Sequence, residues 1–112
     1  MAINYAKFFA PGVLSTSVVT RYTVPSTPTN VLLRGGRVSL TNVTSSSVTP
    51  TLYAVPSGGS AGSANVFYNQ PIGPLQTILV DIPVMGPGDI LQDKCDTASA
   101  VTIQPMAGGL FS

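Results

Sequence analysis

At 112 residues and a net charge of +1, the chain has room for one modest core, burying roughly two-thirds of the surface its unfolded form exposes. Hydrophobic residues make up 44% and charged residues only 8%, against about 25% charged in an ordinary soluble domain, so its surface suits a subunit covered by partners. There is no His, Glu or Trp and a single Cys95, which excludes imidazole catalysis, an internal disulfide framework and a thiolate-rich metal cluster.

Residues Met1 to Pro11 are apolar and aromatic without a clear period, and Pro11-Gly12 punctuates them. They read as an arm whose Ile3, Tyr5, Phe8 and Phe9 need cover, from a neighbouring subunit or as a first strand of the same domain. Gly12 to Val24 is dense in β-branched residues and reads as a strand, or a strand pair broken near Ser15 to Ser17. Pro25 to Asn30 is a loop, since two prolines cannot continue a ladder.

Val31 to Val43 follows, interrupted at Gly35-Gly36. The pair is either a two-residue turn or, the preferred reading, a β-bulge kinking one long strand. From Arg37 to Gly59 the chain reads as a hairpin: Val38 and Leu40 alternate with polar residues, Asn42 to Val48 forms a loop, and Leu52 and Ala54 alternate on the return. Pro56 to Ser63 is a flexible connection, Ala64 to Gln70 a strand, Pro71 to Pro74 a turn, and Leu75 to Val84 the most apolar strand. Pro87-Gly88 suits the centre of a type II turn. Ile90 to Cys95 and Ala100 to Pro105 are the last strands, and Met106 to Ser112 is an apolar tail carrying Leu110 and Phe111.

No stretch carries a helical period, so the expectation is an all-β fold with essentially no helix: a single antiparallel β-sandwich or jelly roll of about 7–8 short strands. Residues 12–105 are its domain, 1–11 the arm and 106–112 the tail.

Little in the chain carries chemistry. Asp89, Asp93 and Asp96 lack the spacing of a calcium loop, the serines have no base beside them, and the glycine pairs are followed by no Lys-Ser/Thr. The expectation is a protein without enzymatic activity, cofactor or metal. Lys7, Arg21, Arg34, Arg37 and Lys94 are too dispersed to follow a phosphate backbone, and no 18-residue apolar run exists to span a membrane. The N-terminus does not read as a secretory signal, so the chain is expected to be made and kept in a cytoplasm. Cys95 reads as a small apolar core residue. Tyr53, Phe67 and Tyr68 are either half-buried strand residues or, with the loop near Gly58 to Ser63, a platform for stacking sugars.

The run Leu-Thr-Asn-Val-Thr-Ser-Ser-Ser-Val-Thr-Pro-Thr-Leu-Tyr-Ala-Val-Pro-Ser-Gly-Gly-Ser-Ala-Gly-Ser-Ala-Asn, Leu40 to Asn65, resembles the central segment of small β-sandwich virion proteins of tailed bacteriophages. Leu14 to Pro25 and Gly86 to Gln92 are similar to the same modules, so the resemblance covers roughly Gly12 to Pro105. It implies a virion structural protein, made in the host cytoplasm: a capsid decoration or cement protein, or a neck, collar, tail-tip or fibre module that could bind host-surface glycan. The first is the preferred expectation. It implies self-association, as a trimer, and contact with the major capsid protein or other virion proteins. Ile3, Tyr5, Phe8, Phe9, Leu110 and Phe111 are the expected contact residues, and Tyr53, Phe67 and Tyr68 the alternative glycan contacts.

Overall fold

A computed structural model describes residues 3–4, 9–25 and 32–111, apart from the side chains of residues 3, 4, 32, 34 and 107–111. The alternation read from Arg37 onward is realised in a long strand, β4 (Leu32–Asn42), where Val38, Leu40 and Asn42 are fully buried and Arg37 faces water. The other strands are β1 (Ile3–Asn4), β2 (Gly12–Val13), β3 (Val19–Thr23), β5 (Pro50–Val55), β6 (Val66–Asn69), β7 (Thr77–Asp81), β8 (Ile90–Cys95) and β9 (Val101–Phe111). Among the described residues the only helical element is a 3₁₀ turn, Ser63–Asn65.

These strands form two antiparallel sheets. The front sheet runs β2-β9-β4-β7, with β1 also paired to β9, and the back sheet runs β3-β8-β5-β6. Except for β5 and β6, strands consecutive from β2 onward lie in opposite sheets, and that order is the eight-stranded jelly roll, the second of the two folds expected.

The topology corrects one expectation. The strands on either side of Asn42 to Val48 are not a hairpin: β4 lies in the front sheet and β5 in the back. An apolar alternation is satisfied equally by pairing beside a neighbour or by facing it across a core, so the pattern fixes which face is buried and not which edge is paired. Asn42 anchors the crossing. Its amide nitrogen lies 2.7, 3.0 and 3.1 Å from the carbonyl oxygens of Ser46, Ile72 and Gly73, and its Oδ1 accepts the Thr44 N–H and hydroxyl. The hairpin that does exist joins β5 to β6 through the Pro56 to Ser63 connection.

The Gly35-Gly36 pair sits within β4 as a bulge, the register against β9 shifting between Arg34 and Arg37 and again before Val38. Gly36 is buried against Ile82, whose N–H donates to the Gly36 carbonyl, and a Cβ there would stand 3.2 Å from the Ile82 side chain. β2 and β3 are the strand pair broken at Ser15 to Ser17, and Gly88, with φ +80°, takes the left-handed place in the Pro87-Gly88 turn. β9 runs beyond the expected stop at Pro105 as far as Phe111. Pro105 is tolerated because it falls beside the second register shift, where the ladder is already interrupted.

The core fills the space between the sheets with Leu14, Val38, Leu40, Val80, Ile82, Val101 and Ile103 on the front side and Leu52, Leu91 and Cys95 on the back. Each end is closed by a bridge between crossing segments, Val48 with Ile72 at one and Leu33 with Met85 at the other. Residues 26–31, the predicted proline-rich loop and the start of its strand, lie outside the described residues except for Pro25.

Candidate functional site

The four Asp side chains would carry any acid–base chemistry, and each makes hydrogen bonds within the fold. Asp93 lies fully buried on the core face of β8, where a bare charge would be costly. Arg21 meets it from β3 with two bonds, Nε to Oδ2 at 2.7 Å and Nη2 to Oδ1 at 2.9 Å. Arg21 can turn inward because it sits at a bulge, between the Thr20–Gln92 and Tyr22–Leu91 pairs. The guanidinium covers Gly12, where a Cβ would lie 2.5 Å from Nη1, so a larger residue there would have to displace the end of the Arg21 side chain. The hydrogen bond to Asp93 holds the Arg21 pKa above its ordinary value.

Asp89 accepts the N–H groups of Gly86 (2.8 Å) and Ser57 (3.0 Å), tying the β7–β8 turn to the β5–β6 loop. Asp81 pairs with Arg37 across β4 and β7 at 2.8 Å, exposed. Asp96 accepts the Thr49 N–H through Oδ1 at 3.0 Å. Among the described residues no three His, Cys, Asp or Glu side chains are grouped to hold a metal. Cys95 is buried on the core face of β8, and burial pushes its thiol pKa up.

The predicted contact residues of the two ends meet on one sheet. The backbones of Ile3 and Asn4 pair with Phe111 and Leu110, which pair in turn with Leu32 and Leu33. Phe9 is half-buried against the core cluster, and Tyr5 and Phe8 lie outside the described residues. The three aromatics of the alternative platform are not brought together. Tyr53 lies on the outer face of the back sheet opposite Val66, only 7% exposed, whereas Tyr68 pairs with Leu52 and, like Phe67 at the adjacent bulge, packs on the core. Burial raises the Tyr68 phenol pKa.

One feature was not visible in the sequence. On the outer face of the back sheet, Asn69, Thr51 and Lys94 form a row across β6, β5 and β8, and with Thr16, Thr49, Cys95 and Asp96 they line a depression of about 320 Å³. Thr51 donates to Asn69 Oδ1 at 3.3 Å. No carboxylate among the described residues lies within 4.0 Å of the Lys94 ammonium, in contrast to Arg21 and Arg37. The signal was unreadable because it depends on the register of strands distant in the chain.

The fold and its polar row thus define an eight-stranded jelly roll with a small polar depression on its back sheet. No protein-family model and no curated protein matches the sequence. Among solved structures it is similar to a protein described in the words "Bacillus endospore appendages form a novel family of disulfide-linked pili", with a TM-score of 0.54 and 11% identity, over 96% of this chain and 85% of that one. At that identity the likeness speaks for the fold alone.

Proposed function

We propose that this chain is a non-enzymatic structural subunit of a bacteriophage particle, a capsid decoration or cement protein that self-associates and bridges capsomers through buried apolar area. The observation that carries it is the division of labour on the surface. All four carboxylates are engaged in holding the fold, while large apolar side chains stand in water: Leu75 at 72%, Val84 at 62%, and Leu79 and Met106 on the outer front sheet at 55% each. A free monomer gains nothing from that arrangement, and a subunit gains an interface.

Leu75 adds a specific clue. It is held at φ +57°, a conformation that costs a branched side chain about 1 kcal/mol or more, by a 3.1 Å bond from its N–H to the Thr44 carbonyl. Beside it Val43 is also exposed, so the end closed by Val48 and Ile72 presents two apolar side chains on stiff loops. The appendage protein is described as forming disulfide-linked pili. A disulfide-linked chain of subunits needs two thiols per subunit, and this sequence has one, buried, so the association proposed for this chain does not use such links.

The test is sedimentation of the full chain over a concentration series, with antibody labelling of phage particles. The expected results are a discrete oligomer and label on the head. Leu75→Gly is expected to unfold at the same or a slightly higher temperature, relief of backbone strain offsetting the freedom glycine adds to the unfolded chain, yet to associate more weakly. A chain that stays monomeric throughout and labels no particle overturns the proposal.

A further inference from the structure

We propose that the depression on the outer face of the back sheet is a binding site for a small carboxylate-bearing sugar, a uronate, with Lys94 reading its acid group and Asp96 its hydroxyls. The site does not depend on assembly into a particle, and it is distinct from the aromatic residues, which the fold separates.

Recognition in the depression rests on hydrogen-bond donors and acceptors. Lys94 offers donors only, and among the described residues its ammonium has no anionic partner. It therefore selects an anionic acceptor. Asp96, on the same lining, offers acceptors only; its Oδ1 is taken by the Thr49 N–H, the Thr97 hydroxyl at 3.3 Å and the Cys95 thiol at 3.6 Å, whereas Oδ2 makes no hydrogen bond among the described residues. It selects donors.

A dianionic phosphate would satisfy the first group and be repelled by the second. A neutral sugar would satisfy the second but leave the charge of the first uncompensated. A uronate carries a single charge at one end and a set of hydroxyls across the ring, so it answers both. On the same lining, Thr16, Thr49, Thr51 and Asn69 supply hydroxyls and an amide that can donate or accept. Because Thr51 donates to Asn69 Oδ1, the Asn69 NH₂ is left to face a ligand. The volume of about 320 Å³ falls at the small end of ligand sites and fits one sugar ring. No aromatic side chain lines it, so recognition rests on charge and hydrogen bonds rather than on stacking.

The experiment is ¹H–¹⁵N NMR titration of the full chain with methyl β-D-glucuronide, with methyl β-D-glucoside, inorganic phosphate and free glucuronate as separate arms. The glucuronide is expected to shift the amides of Thr51, Asn69, Lys94 and Asp96 with saturation in the millimolar range, and the glucoside to bind at least about tenfold more weakly. Lys94→Met is expected to keep the rest of the spectrum and lose the glucuronide response, and Asp96→Asn to weaken it while admitting phosphate. Stronger binding of the glycoside than of free glucuronate marks a glycan terminus as the source, and the reverse marks a free sugar acid; either supports the site. No saturable shift with the glucuronide, an equal response to phosphate, or an unchanged response in Lys94→Met overturns it.

Discussion

Arg21 and Asp93 show most directly how single residues govern this molecule. Their contact is bidentate and shielded, with Asp93 fully buried and the Arg21 side chain 13% exposed, so each ion depends on the other. Removing one partner strands the other. Asp93→Ala is expected to cost about 3–5 kcal/mol in urea denaturation, whereas Arg21→Met with Asp93→Leu costs far less because no buried charge is left alone. If the double variant is as unstable as the single one, the pair is not what stabilises this edge of the sandwich. Neither partner was identifiable beforehand, since Arg21 read as a strand residue and Asp93 as part of a loose acidic group. The bulge at Arg21 aims the side chain inward, and the bulge exists only once β3 has paired with β8.

At the scale of elements, the two ends of the chain form one piece of sheet, β1 beside the last residues of β9. The roll itself needs only β2 to β9, and β1 adds two residues at an edge. Deleting residues 1–10 is therefore expected to leave the jelly roll folded, with a loss of about 1–2 kcal/mol as half-buried Phe9 leaves the core. Association is expected to weaken much more. Circular dichroism and sedimentation of the truncated chain separate the two effects, and undiminished association would remove the N-terminal segment from the interface. The strands from Gly12 to Cys95 were legible, breaks included, because β-branched alternation and Gly/Pro turns are local signals. The end of β9 was not, because a proline looks like a stop until the bulge that accommodates it is known.

For the molecule as a whole, alkaline pH is the condition that burial makes destabilising. Burial raises the pKa of the Cys95 thiol and of the Tyr22 and Tyr68 phenols above their ordinary 9.0 and 10.0. Below pH 9 folded and unfolded chains both keep these protons, and stability is at its full value. Above it the unfolded chain releases them first, so stability falls as pH rises, from the thiol's ordinary value upward, until the folded groups titrate too. Thermal unfolding from pH 7 to 11 is expected to show a falling midpoint that begins near pH 9 in the native chain and later in Cys95→Ala. A flat profile would mean that these groups are reached by water.

The amino-acid order alone determined that this chain is a strand-built, one-core domain with little charge, and which face of each strand is apolar, because composition and period-two alternation act over a few residues. Only the tertiary structure decided that the strands cross between layers as a jelly roll rather than meet as hairpins, and that Arg21 reaches Asp93. It also decided that Lys94, Thr51 and Asn69 stand in one row. The physical reason is the same in each case: edge pairing, bulges and register arise from backbone hydrogen bonds between distant segments, and any strand's backbone offers those bonds alike.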